Sequence, residues 1–154
     1  MGAGKGERSE IITLSIPSRL ELLPVLDRLL QGIIEQIGFD EEDADAVAIS
    51  VIEAGTNAIQ HGHKQDASKA VQFCFDLRPD RLLVRVEDTG PGFDLNAVTR
   101  LDPTTPEGLL QSTGRGIYIM RQMMDRVDFD IQPRRGTIVH LLKAKRTNGR
   151  KASA

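Results

Sequence analysis

The chain has 154 residues, 40% hydrophobic and 27% charged, with formal net charge −2. That length and apolar share build one domain with a real core, which excludes a disordered chain and a multidomain enzyme. The single cysteine, Cys74, excludes an intramolecular disulfide framework, and no apolar run nears the roughly 20 residues that span a bilayer.

The opening residues, MGAGKGERSE, lack the apolar centre of a secretory signal, so the expectation is a soluble, reduced, cytoplasmic protein. Residues 1–9 are expected to be a flexible tail, 10–143 the folded domain and 144–154 a basic flexible tail. From Lys143 to Ala154 there are bases and no acid, a pattern that suits a solvated, frayed end. With few aromatics and no basic, aromatic-bearing face, direct nucleic-acid contact is not expected, nor is a membrane partner.

Ile11 to Ile16 alternate around Thr13 and Ser15 and predict a strand ended by Pro17. Leu22, Leu23, Leu26, Leu29, Leu30, Ile33, Ile34 and Ile37 recur at helical spacing, with Pro24 near the start and Gly38 as the stop. Asp40 caps a second predicted helix, from about residue 41 to 61, whose first turn favours Glu41, Glu42, Asp43 and Asp45. Val71, Phe73, Phe75 and Leu77, then Leu82, Val84 and Val86, alternate about a turn at Arg78–Asp80, which is a hairpin with one buried face. Gly90 to Thr113 has little periodicity and suits a lid. Helical spacing returns from Gly116 to Met124 through Ile117, Met120, Met123 and Met124, and strands Val127–Ile131 and Thr137–Leu142 follow. The expected fold is α/β (α+β): a two-layer sandwich in which three helices cover one face of a mainly antiparallel mixed sheet.

On the second helix Glu53, Asn57 and His61 stand four apart, so each step turns only about 40° and all three share one stripe. Mg²⁺ takes one or two protein oxygens and completes its shell with phosphate and water, which makes Asn57 a candidate ligand. Glu53, one turn earlier, is placed to accept a proton from an attacking hydroxyl. A wet helix face gives the same pattern. At the hairpin exit stands Asp88-Thr89-Gly90-Pro91-Gly92. An ionised carboxylate only accepts hydrogen bonds, so Asp88 would pair with the exocyclic amine of adenine and repel the carbonyl of guanine. Gly90 and Gly92 permit close backbone approach, although the same residues also make an ordinary turn.

Ser112, Thr113, Gly114, Arg115 and Gly116 precede a predicted helix, where open N–H groups and the positive dipole end cradle phosphate; a hinge is the other reading. Thr137, after Gly136, either joins Asp88 near the base or simply starts a strand. His61 and His63 do not complete a closed zinc site, since Cys74 and His140 are the only other N or S ligands. There is no P-loop and no nucleophile elbow.

Taken in order, EAGTNAIQHG (53–62), EDTGPGFD (87–94), TGRGIYIM (113–120) and GTIVHL (136–141) resemble the nucleotide-binding boxes of the GHKL (histidine kinase-like) ATPase superfamily. The resemblance spans residues 10–143. Within that superfamily, the Asn-Ala-x-x-His-Gly ending, the short lid and the length are similar to the stand-alone anti-sigma-factor serine/threonine kinases of the RsbW/SpoIIAB type. The resemblance implies a GHKL/Bergerat ATP-binding fold with Glu53 as general base, Asn57 as Mg²⁺ ligand and Asp88 as adenine reader. Gly90, Gly92, Gly114 and Gly116 become the backbone walls of the ATP site, with Thr113, Arg115 and Thr137 among its contacts. It also implies ATP and Mg²⁺ as cofactors, a sigma factor held on one face, a STAS-domain antagonist phosphorylated on serine or threonine, and a homodimer. Some spore-type relatives carry an arginine two residues before the first lid glycine, where this chain has Ser112; Arg115 or Arg100 would then have to supply the charge. The alternative is a non-catalytic regulatory module gated by ATP or ADP.

Overall fold

The computed structural model describes residues 8–100 and 112–146. The middle of the expected lid (101–111), the first seven residues and residues 147–154 of the basic tail lie outside the described residues. Strand β1 (Glu10–Pro17) leads through a short 3₁₀ turn to helix α1 (Leu23–Ile37), then α2 (Glu41–Asn57). The hairpin β2 (Ala70–Leu77) and β3 (Arg81–Asp88) follows, then a short α3 (Leu95–Thr99), α4 (Ser112–Met123), β4 (Arg126–Gln132) and β5 (Gly136–Ala144).

Local chemistry sets these boundaries. Gly38 ends α1 in the left-handed region at φ 80°, and its N–H closes on the Ile34 carbonyl. The Asp40 carboxylate accepts the Asp43 N–H at 2.8 Å and caps α2. Asp40→Ala is expected to lower stability by about 1 kcal/mol, read as an earlier denaturation midpoint.

The five strands run in the order β1-β2-β3-β5-β4. All four pairings are antiparallel, so among the described residues the sheet is more uniform than the mixed pattern expected. One sheet face meets the helices. Leu26, Leu30 and Ile33 of α1, Val47 and Val51 of α2, and Ile117 and Met120 of α4 pack over Val71, Phe73, Phe75, Leu82, Val84, Val86 and Leu141, all buried. Burying side chains of this kind contributes roughly 1.5–3 kcal/mol each, and this layer is the main source of stability. Gly55 lies inside α2 because a Cβ there would press on Phe73 at 3.2 Å and Leu26 at 3.3 Å. Helix packing against the sheet requires that glycine.

Four expectations need correction. The α-helical part of α2 stops at Asn57, and the chain widens into a π-turn over Ala58–Gly62, with the His63 N–H bonding the Ala58 carbonyl. The segment after Gly92 is not wholly irregular, because Asp94 caps α3 by accepting the Ala97 N–H. Helix α4 already covers Ser112–Gly116 among the described residues, rather than beginning near Gly116, so the glycines lie inside it. Finally, the basic end is not all solvated. Lys143 is buried on β5, its Nζ donating to the Met123 carbonyl at 2.8 Å and standing 3.5 Å from the buried Asp43 carboxylate. Arg146 approaches the same carboxylate at 3.0 Å, so two bases neutralise a buried acid that the helix-dipole argument alone left in solvent.

Candidate functional site

A cleft opens where the end of α2, the exit of β3 and the start of β5 meet. It encloses about 200 Å³ and is mostly apolar, walled by Ala54, Ala58, Val86, Phe93, Val98, Phe129 and Val139. That is below the ~300–1,000 Å³ of a typical ligand pocket, so the cleft suits one ring system with the rest of a ligand outside. Phe93 and Phe129 meet edge to face at 6.0 Å between centroids. Asn57, His61, Gly62, Asp88, Gly92, Thr113 and Thr137 supply the remaining lining.

Asp88 is the buried carboxylate of this cleft, 8% exposed. The β3–β5 register sets it opposite Thr137. Its Oδ1 accepts the Gly90 N–H at 2.8 Å. Burial pushes its pKa above the ordinary carboxylate value; the Gly90 amide, the nearby His63 and the Thr137 amide pull the other way and do not win. A desolvated acceptor facing an apolar slot gains from any ligand that brings a donor.

Three glycines make room for it. A Cβ on Gly62 would fall 2.5 Å from the Asp88 carboxyl carbon, one on Gly90 would strike the Gly62 carbonyl, and one on Gly136 would strike the Asp88 carbonyl. Gly136 also needs its φ of +135°, which other residues rarely adopt. The glycines of Asp88–Gly92 therefore both shape the turn and allow the backbone to close around Asp88.

Asn57 lines the cleft and Glu53 stands one helical turn before it on α2. A Cβ on Gly116 of α4 would lie 2.9 Å from Glu53 Oε2 and 3.1 Å from Asn57 Nδ2. Both half-buried side chains thus converge on the space that a side chain at Gly116 would fill. His61 lines the cleft and is exposed, inside the π-turn that interrupts the stripe. Gly114 is packed instead against the Val98 carbonyl, 2.6 Å from where its Cβ would stand. Among the described residues α4 covers Ser112–Met123, so Gly116 lies inside the helix and leaves space for the Glu53 and Asn57 side chains. Arg115 and Arg100 are exposed.

Among the described residues no three His, Cys, Asp or Glu side chains gather to hold a metal. The donor set fits a cation that takes one amide oxygen from protein and the rest from phosphate and water, as Mg²⁺ does. Asn57 is the residue whose amide oxygen would hold it.

The cleft walls Phe93, Val98 and Phe129 and the buried His63 escaped sequence reasoning. A signal existed for Phe93, an aromatic directly after the glycines in an otherwise polar run. None existed for His63, whose neighbours in the chain are polar.

An α+β sandwich with a buried strand-end carboxylate, a glycine-lined cleft and a Glu/Asn pair on the second helix defines a class of nucleotide-binding domain. A family model for the histidine kinase-like ATPase domain matches residues 16–143, and the chain belongs to this family. It is 32% identical over 141 residues to a serine-protein kinase RsbW of Bacillus cereus, covering 89% of this chain and 86% of that protein. The same identity and coverage hold for the serine-protein kinase RsbW of Bacillus thuringiensis subsp. konkukian. Among solved structures, it is similar to the RsbU and RsbW domains of Rv1364c from Mycobacterium tuberculosis, with TM-score 0.64 and 14% identity over 89% of this chain. The chain spans 32% of that polypeptide, and at this identity the likeness speaks for the fold. Among the described residues no helix is long and apolar enough to cross a membrane.

Proposed function

We propose that this chain is an ATP-dependent protein serine/threonine kinase and anti-sigma factor, which sequesters a sigma factor and phosphorylates a STAS-domain antagonist, acting as a homodimer. The observation that carries the reading is the convergence of Glu53 and Asn57 on Gly116 beside a cleft with one buried acceptor. The relatives named RsbW serine-protein kinase support the same activity.

In this reading adenine enters the apolar slot and gives its exocyclic amine hydrogen to Asp88. Phe93 and Phe129 exclude water from the ring. The phosphates lie toward Asn57 and the first turn of α4, whose N–H groups and dipole favour negative charge. When bound, Mg²⁺ neutralises the phosphate oxygens, with Asn57 as its protein ligand. Glu53 Oε2 takes the proton of the partner's hydroxyl as its oxygen attacks the γ-phosphorus, and ADP leaves.

Incubation with Mg-ATP and a cognate STAS protein is expected to give phosphoserine or phosphothreonine on the latter. If ATP binds and no phosphate moves, the regulatory module is the better description. Gly116→Ala places a methyl group against two flexible side-chain ends, so the fold survives while Glu53 shifts. Phosphotransfer is expected to fall ~10- to 100-fold with little change in melting temperature.

A further inference from the structure

His63 lies just past the π-turn and is 2% exposed, a histidine sealed inside the domain. Both ring nitrogens are engaged. Nε2 accepts the backbone N–H of Thr89 at 2.9 Å and lies 3.0 Å from the Thr89 hydroxyl. A backbone amide can only donate, so Nε2 carries a lone pair and the neutral ring holds its hydrogen on Nδ1. Nδ1–H then donates to Ser18 Oγ at 2.7 Å, and the Ser18 hydroxyl donates onward to the Lys69 carbonyl at 2.9 Å. Ser18 is wholly buried. A one-way line of hydrogen-bond donation therefore runs from Thr89, the residue that follows Asp88, through His63 and Ser18 to the Lys69 carbonyl.

We propose that His63 is a positioning residue for purine recognition. Its neutral ring, braced by Ser18, holds the Thr89 amide and so fixes the direction of Asp88, and a proton on Nε2 breaks that hold and weakens nucleotide binding. This rests on the reading of Asp88 as the adenine acceptor. A protonated ring would offer two donors where Thr89 N–H needs an acceptor, so the bond between them turns from attraction to repulsion.

The charged groups facing the ring are Asp88 from β3 and Asp66 and Lys69 from the connection between α2 and β2. Burial holds the ring pKa below its ordinary 6.5 and outweighs the two carboxylates, with Lys69 acting in the same direction as burial. Because the native value is the lower one, the neutral ring's share of stability is complete above the unfolded value of 6.5. It is lost as pH falls from there through the native value.

The test is calorimetric titration with ADP at pH 7.5 and 5.5 on the full chain and on His63→Gln, His63→Ala and Asp88→Ala. Glutamine sets an amide oxygen near the Nε2 position and cannot gain a proton. Wild-type affinity is expected to fall more across this range than that of His63→Gln, by less than about tenfold because a ring pKa below 6.5 leaves part of the ring neutral at pH 5.5, and the difference cancels the titration of Asp88 and of the phosphates. At pH 7.5, His63→Ala is expected to bind about tenfold more weakly, and His63→Gln to recover most of that loss. The ¹⁵N shifts of the wild-type ring, which need no variant to fold, are expected to report the Nδ1–H tautomer. Equal pH slopes in wild type and His63→Gln, or an Nε2–H tautomer, would overturn the inference and leave the adenine reading standing. Asp88→Ala binding ADP as tightly as wild type would overturn the adenine reading and this inference with it.

Discussion

Asp88→Ala is expected to weaken ADP and ATP binding by about 1.5–3 kcal/mol, which is ~10- to 150-fold, the range for a hydrogen bond to a charged group. The loss has a definite origin. Adenine would enter the slot between Phe93 and Phe129 with its amine facing a methyl group, and no water fills the gap cheaply in a site this apolar. Asp88→Asn sharpens the experiment. Its amide oxygen still accepts the Gly90 N–H, so the turn is retained, while its amide nitrogen donates into the slot. Discrimination between ADP and GDP is expected to shrink in that variant, because the repulsion of the guanine carbonyl is gone. Titration of each protein with both nucleotides checks the pair, and unchanged selectivity would refute the role of Asp88.

Glu53→Gln separates catalysis from binding. Glutamine keeps the shape and the contact with Gly116 but cannot take a proton, so phosphotransfer to the STAS protein is expected to drop by about 10²–10⁴-fold. ADP affinity should stay within about twofold, since Glu53 lies outside the cleft lining. A drop in affinity that matches the drop in rate would mean that Glu53 serves binding and the proton goes elsewhere.

Much of the fold was legible because amphipathic patterns persist over long elements. Leu26, Leu30, Ile33, Ile34 and Ile37 mark the buried face of α1, and every alternate residue from Val71 to Phe75 and from Leu82 to Val86 is buried. The Gly38 stop and the Asp40 cap were legible for the same reason, since each is a local signal with a local cause. The start of α4 was not. Two glycines within five residues argue against helix by propensity, and the packing of the helix through Ile117 and Met120 overrides it. The ion pairs of Asp43 were equally hidden, because they join residues 100 or more apart in the chain.

Glu53, Asn57 and Asp88 sit on regular elements, where a count of residues along the sequence places them. A count of four does not foresee the π-turn that carries His61, although His61 still lines the cleft with Asn57. For His63 the sequence offers only a metal ligand in an incomplete set. The residues it does engage, Ser18 and Thr89, are brought to it by the sheet register rather than by proximity in sequence.

The interlocked backbones around Asp88 also forecast how this gene tolerates random change. In a saturation library selected for function, codons 90 and 136 should return glycine alone, because the atoms in the way belong to main chain that no repacking can move aside. Codon 32, by contrast, faces open space in a regular helix, and its survivors should drift toward alanine and other strong helix formers. Glycine thus marks a fixed point in one place and an accident of history in another.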